Sequence, residues 1–598
     1  MTTGTEGNDN LTNDPAVDPE TIDALGGDDV ITVNRPNSSF ENVERLVTVS
    51  GGDGFDTLIV NANNYLSAFG SGYDGSLRVR EGNGIGWTVA WSSIERLEIN
   101  GGRFFSSDLT LGDEIDIVRL NAGFGGSIST TGGNDEIYIS GTSGGSRVRA
   151  DGGAGNDLID LTGMTSGGGG GVPNEGLGGE GDDILRGSGY SDLLSGGTGN
   201  DFLFLHQAPA FPDNPMLDTA LGGAGNDNIF FGATLTQFDV VTGGADTDTL
   251  VLQGNYSGGL TLSAKVTEIE NVSLLGGDNT SLGEPGTNRY DYALTTNDSN
   301  FAAGVQARIN GAALLAGEDF TFNGSAETDG LFVVYGGRGR DTLTGGVGND
   351  IFFFAEERFA SGDVVNGGAG YNGMFLRGNY TIDFNAPGYT GLFTNIHNLT
   401  LTSATDERYA RGGGTEFDYN LILSDAIVGS GQQLTVSGAI LTASETMVLD
   451  ASAETDGTLR LFGGKASDTL KGGALNDLIH GNLGADTLAG NGGADAFRYQ
   501  NTAESNSQSM DHILDFTPGT DKIELDRIDA NANVAGNQAF TWIGSSGFSG
   551  TAGELRAENL NNMGWFVEGD TDGNGAADFV VWLTLQGSTP LSSGDFIL

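Results

Sequence analysis

The sequence predicts an all-β protein, modular and elongated, built from short strands joined by glycine-rich turns. Three observations predict it. A nine-residue pattern recurs in unbroken runs, and a longer period lies over it. Short runs of β-branched and aromatic residues separate the turns, with no long helical period.

The short pattern is plainest in "GGRGRDTLTGGVGNDIFFF", Gly336 to Phe354: a Gly pair, polar turn residues or another Gly, an Asp at the sixth place, then an apolar run. Contiguous copies run from Gly178 to Phe204 ("GGEGDDILR GSGYSDLLS GGTGNDFLF"), from Gly336 to Phe353, and from Gly463 to Arg498 ("GGKASDTLK GGALNDLIH GNLGADTLA GNGGADAFR"). Single copies stand at Gly4, Gly51 (Asp56), Gly152 (Asp157), Gly222 (Asp227) and Gly243 (Asp248); the copy at Gly367 has Asn372 in place of its Asp. The longer period pairs Gly222–Gly345 with Gly345–Gly472. "LQGNY" returns as "LRGNY", "DYAL" as "DYNL", and "SAETDG" at Ser325 returns at Ser452.

Composition sets the energetic problem. Of 598 residues, 102 are Gly, and 80 acids against 26 bases leave a net charge of −54. So much glycine raises the entropic cost of folding, and so much like charge opposes compaction. Nucleic acid and anionic lipid are excluded as partners. With 37 % hydrophobic and 18 % charged residues the chain is not an acidic disordered tail, so folding conditional on metal is expected. There is no Cys, which removes disulfides, thiolate zinc sites and cysteine nucleophiles. "MTTGTEGNDNLT" has no basic or apolar signal region, and no apolar run approaches the ~18 residues of a membrane span. A soluble chain without membrane insertion is expected, with any export address not at the front.

The nonapeptide is suited to calcium. Its glycines let the turn adopt φ > 0 and face its carbonyls inward, and the Asp adds a carboxylate beside them. The last three residues form a short strand whose middle side chain points inside. Stacked turns then oppose hard oxygen ligands, a set that suits calcium better than magnesium. An isolated copy is equally an ordinary β- or Asx-turn.

These residues resemble RTX repeats, the hemolysin-type calcium-binding nonapeptides. The resemblance implies parallel β-roll segments interleaved with β-sandwich- or β-solenoid-like strand modules, and several bound calcium ions. It implies that alternate repeats share an ion, pairing Asp183 with Asp201, Asp468 with Asp486 and Asp477 with Asp495, with carbonyls such as those of Gly179, Gly181 and Gly196 completing the shells. Asp192, Asp341 and Asp350 are further ligands it implies, the last two without an identified partner. "GGKAS" and "GGALN" depart from the pattern and imply weaker sites.

The stretch from "GADAFRY" to the terminal "DFIL" resembles the C-terminal domain of serralysin-type secreted proteins. That implies a cap on the roll and a signal for type I secretion machinery; a buried last strand is the other reading of "DFIL", and both can hold. The organisation expected is 1–150, a β module with degenerate turns; 151–221, a roll; 222–344 and 345–462, the two module copies; 463–498, a second roll; 499–598, cap and signal. Within the cap, Asp570, Asp572, Asn574 and Asp578 are spaced like an EF-hand loop without its closing Glu, which suits either a calcium-stiffened turn or a polar one.

No catalytic motif is recognisable. Four histidines (His206, His397, His480, His512) lack His-Glu-x-x-His spacing. "GTSGG" around Ser143 matches a nucleophile elbow only in its letters. Trp87 and Trp91 could stack on sugars, but packing is the plainer role. The expectation is a non-enzymatic secreted or cell-surface protein, assembling with itself or binding cell-surface polysaccharide. The other class is a polysaccharide-acting hydrolase or lyase on a β-solenoid.

Overall fold

The computed structural model describes residues 1–17, 19–34, 45–61, 76–80, 86–103, 107–111, 117–142, 147–166, 172–205, 217–282, 288–356, 358–406, 416–560 and 564–598. The described elements are strands and turns, with one 3₁₀ turn at Ser593–Asp595. Ser143, His206 and the side chain of Trp87 lie outside the described residues. The chain divides into two compact units, Met1–Ala307 and Arg308–Leu598.

In the first unit each nonapeptide supplies one strand: the contiguous run Gly178–Phe204 alternates between two parallel sheets, while the single copies at Gly152, Gly222 and Gly243 all join the sheet of Ile184–Arg186 and Phe202–Leu205. One sheet stacks Leu158–Ser166, Ile184–Arg186, Phe202–Leu205, Asn228–Phe231, Thr249–Leu252 and Asn271–Leu274. The other stacks Gly126–Ser129, Val148–Ala154, Asn174–Glu180, Asp192–Thr198, Thr219–Ala224 and Val240–Ala245. Register places the eighth residues of the repeats on this first sheet, Ile159, Leu185, Leu203, Ile229 and Leu250, in one inward column continued by Val272, and all are fully buried. The flanking Ile184 is exposed, as alternation along a strand requires. Facing the column, Gly176 leaves room that a Cβ would close to 3.0 Å from Leu194. Trp91 is buried in Gly86–Ser92, so it packs in the core.

Stacking is also why the turns are glycine. The second residues of five turns, Gly153, Gly179, Gly197, Gly223 and Gly244, pair in register from coil to coil. Gly197 has φ +121°, and a Cβ there would run into the carbonyl oxygen of Gly179 in the preceding coil. Both the dihedral and the approach exclude a side chain. Gly197→Ala is therefore expected to cost about 3 kcal/mol or more even in saturating calcium. Gly388→Ala, with φ +84° and nothing within 4 Å, meets backbone strain only and should cost about 1 kcal/mol. Denaturant unfolding of both variants checks this.

The second unit repeats the plan. Leu331–Tyr335, Ile351–Ala355, Gly373–Arg377, Asn398–Leu401, Gln433–Ser437, Thr458–Phe462, Leu478–His480, Ala496–Arg498 and Lys522–Glu524 form a parallel ladder. Phe596–Ile597 closes it against Lys522–Glu524. The "DFIL" end is thus a last strand, with Phe596 buried. The facing sheet ends in an antiparallel meander, Phe579–Leu585, Trp565–Asp570 and Glu554–Asn559. Each sequence copy carries a pair of stacked tyrosines whose hydroxyls donate to backbone carbonyls. Tyr292 donates to Leu275 O (2.7 Å) in the first unit, and Tyr419 to Thr402 O (2.7 Å) in the second.

Candidate metal centres

The sixth-place Asp of each repeat sits where the turn enters its strand, and there it is buried. In the first unit these carboxylates form a continuous row. Asp135 N–H donates to Asp157 Oδ1 (2.8 Å), Asp157 to Asp183 (2.7 Å), Asp183 to Asp201 (2.8 Å), Asp201 to Asp227 (2.8 Å) and Asp227 to Asp248 (2.8 Å). Asp248 N–H ends the row on Glu270 Oε2 (2.8 Å). A second row runs from Asp29 to Asp56 Oδ1 (2.8 Å) and from Asp56 to Glu95 Oε2 (2.7 Å).

The other carboxylate oxygen decides the chemistry. Oδ2 of Asp29, Asp56, Asp157, Asp183, Asp201, Asp227 and Asp248 is buried with no hydrogen-bond partner. It faces more oxygen: a Cβ on Gly178 would meet both Asp183 Oδ2 and, at 2.6 Å, the carbonyl of Gly196. Carboxylate and carbonyl oxygens converging without a donor repel one another, and leaving a buried charged oxygen unpaired is costly. Burial pushes Asp183 and Asp248 up to about 7 and Asp201 and Asp227 up to about 6, opposed by the backbone N–H each accepts. Burial raises Asp56 and Asp157 as well. An all-oxygen pocket of this kind fits a hard divalent cation.

Not every repeat is open in this way. In four turns of the second unit the second glycine donates its N–H to its own Asp Oδ2: Gly337 to Asp341 (2.8 Å), Gly346 to Asp350 (2.7 Å), Gly464 to Asp468 (2.5 Å) and Gly473 to Asp477 (2.6 Å). Asp192 is closed likewise by Ser188 N–H (2.7 Å). Each of the four glycine-closed turns rests on a turn of another kind. Arg338 N–H reaches Leu314 O, Val347 reaches Glu327 O, and Ala474 reaches Glu454 O; Gly464 abuts Leu441. A turn that follows another nonapeptide instead pairs its second residue with that neighbour, which swings the N–H away and opens Oδ2. Asp486 and Asp495 follow Asp468 and Asp477, have positive φ at Asn482 and Asn491, and are open.

The sequence pairs stand one coil apart: Asp468 N–H meets Asp486 Oδ1 (2.7 Å) and Asp477 N–H meets Asp495 Oδ1 (2.9 Å), as Asp183 meets Asp201. Asp341 and Asp350, left without partners by the sequence, donate to Asp363 Oδ1 and Asn372 Oδ1 (both 2.8 Å). Asn372 is informative. Its Oδ1 keeps its place in the row, while Nδ2 donates to Ala369 O (2.8 Å) and Asn395 O (3.0 Å). An amide N–H there satisfies carbonyls of the kind that face an unpaired carboxylate oxygen in the open turns.

Sequence reasoning missed Asp29 and Asp135. Both follow shortened turns, "GGDD" and "GGND", two residues under the full pattern; a Gly pair followed at once by an acid and a β-branched run was the available signal. The Asp570 loop is a hairpin tip that holds Asp570, Asp572 and Asp578 oxygens within 4.8 Å of one another. Asp570 accepts N–H bonds from Gly573 (2.7 Å) and Gly575 (2.9 Å), Asp578 accepts from Thr571 (2.8 Å), and Asn574 Oδ1 accepts from Ala576 (2.7 Å). Backbone donors thus already occupy Asp570 and Asp578, and Asn574 turns its oxygen to the backbone. Of the histidines, His480 pairs with Glu504 (3.0 Å) in the interior and His512 stacks on Trp582.

Residues 177–207, 218–233 and 333–356 match the family model described as RTX calcium-binding nonapeptide repeat (4 copies). Residues 378–598 match that described as Peptidase M10 serralysin C terminal. The matched segments are thus similar to RTX calcium-binding repeats and to the serralysin C-terminal domain. Its repeats bind calcium ions. The serralysin match covers that family's C-terminal domain, not its catalytic one, and takes in the second array at Gly463–Arg498. Both matches indicate a secreted protein and fit a substrate of type I export. No curated protein matches the chain. Among the described residues no helix is long and apolar enough to cross a membrane.

Proposed function

We propose that this protein is a non-enzymatic, calcium-dependent structural component of the cell surface: a surface-layer subunit, matrix protein or adhesin that assembles with itself or on surface polysaccharide. The row from Asp157 to Asp248 carries this reading. Coil after coil is joined through carboxylates whose second oxygen lacks a donor, so calcium sets the rigidity of the whole stack. Its ligands are the Oδ2 atoms of the open turns, Asp56, Asp157, Asp183, Asp201, Asp227, Asp248, Asp486 and Asp495, with neighbouring turn carbonyls. The closed turns of Asp192, Asp350, Asp468 and Asp477 bind more weakly, because their own backbone already occupies the oxygen; Asp341 is closed at Oδ2 but keeps a buried, unpartnered Oδ1. A strongly acidic exterior adds a second use for divalent ions, between molecules.

Electron microscopy of the purified protein tests the assembly: ordered sheets or lattices are expected on adding millimolar calcium and should disperse in chelator. Monodisperse particles in both conditions overturn it. Removing residues 499–598 is expected to leave the protein in the cell fraction of a host with a type I exporter.

A further inference from the structure

The nonapeptide does not account for the other repeated motif, "SAETDG". In its second copy, Glu454 is 1 % exposed; Oε1 accepts N–H bonds from Asp456 (3.1 Å) and Gly457 (2.8 Å), while Oε2 is buried and unpartnered. Carboxylate oxygens of Asp425, Glu454 and Asp456 lie within 4.8 Å of one another. Asp425 comes from the preceding coil and is held there by Thr455, whose N–H (2.8 Å) and hydroxyl (2.7 Å) donate to its Oδ1. The first copy rebuilds the central feature: Glu327 is fully buried, Oε1 accepts from Asp329 (3.3 Å) and Gly330 (2.8 Å), and Oε2 is again unpartnered.

We propose that Asp425, Glu454 and Asp456 form a cation site outside the nonapeptide turns, taking a hard divalent ion, calcium in the secreted protein. Three carboxylates in so small a volume repel one another, and a buried carboxylate oxygen without a donor needs a positive partner. Oxygen-only ligands with two exposed members leave room for the water that calcium's 6–8 coordination requires. The location gives the site a purpose. Glu454 O receives Ala474 N–H from the closed turn of Asp477, and Glu327 O receives Val347 N–H from the closed turn of Asp350. Where a stack begins and its first nonapeptide is closed, the ion sits one turn earlier and ties the coil of Asp425 to that of Glu454.

Native mass spectrometry of the full calcium-loaded chain tests this. Glu454→Gln is expected to shift the dominant species down by one calcium, and Asp425→Asn to do the same. Asp425 is exposed, so it decides the matter if the buried substitution fails to fold by circular dichroism. An unchanged calcium count in a folded Glu454→Gln protein, or in Asp425→Asn, overturns the site. The site rests on calcium binding by the repeats only for the identity of its ion. Asp201→Asn separates the two: if it too leaves the count unchanged, the assignment of the open turns fails on its own account.

Discussion

In chelator at pH 8 the β-sheet circular dichroism of the protein should melt at a far lower temperature than in millimolar calcium. With free calcium tenfold above Kd, one site adds about 1.4 kcal/mol to folding. The six open carboxylates of the first unit assigned as ligands together then contribute on the order of 8 kcal/mol, comparable to the whole stability of an ordinary domain. Extracellular calcium sites with Kd near ~10⁻⁴–10⁻³ M gain almost nothing at cytosolic calcium, so the same chain stays loose before export.

The pH dependence of the calcium-free protein has a definite sign. Asp183, Asp201, Asp227 and Asp248 have folded values raised by burial to between about 6 and about 7, above the usual carboxylate range. Raised carboxyls favour the folded state when protonated, so their contribution is complete below about pH 4 and is lost as pH rises through 6–7. Thermal unfolding in chelator should therefore move to higher temperature between pH 8 and pH 5. The stabilisation by calcium should shrink over the same interval, because the ion then competes with protons. A melting temperature in chelator that falls on acidification contradicts this.

Asp201→Asn should have opposite effects in the two conditions. The new Oδ1 keeps the bond from Asp183 N–H, and the new Nδ2 can donate to turn carbonyls as Asn372 does. In chelator the variant should gain about 1–2 kcal/mol, since an unpaired buried oxygen becomes a donor. With calcium about a thousandfold above Kd it forgoes about 4 kcal/mol of binding, which outweighs that gain and leaves it about 2–3 kcal/mol less stable than the parent. Asn372→Asp should reverse both signs, creating a calcium requirement where none exists. Denaturant midpoints of the two variants, each with and without calcium, give four numbers. Shifts of the same sign in both conditions contradict the account.

Much of this was legible in the sequence because the nonapeptide fixes strand, turn and inward residue together. The resemblance to RTX repeats, in which successive repeats alternate sides, implied the pairing of Asp183 with Asp201, and the structure brings the two together. The state of each turn was not legible. "GGVGND" at Gly345 has the same glycines as "GGAGND" at Gly222, yet Asp350 is closed and Asp227 open. The difference lies in the preceding coil: Val347 docks on Glu327, whereas Gly223 pairs with Gly197. That is a tertiary relation between segments of unlike sequence, which no local pattern carries. Asp29 and Asp135 escaped for a simpler reason, since a turn shortened by two residues breaks the period while preserving the row.

Long-wavelength anomalous diffraction from crystals grown in calcium tests the central claim most directly. A calcium peak is expected at about 2.3–2.6 Å from Oδ2 of Asp183, of Asp201 and of Asp227. Peaks absent from all three, with each Oδ2 instead accepting a protein N–H, contradict it.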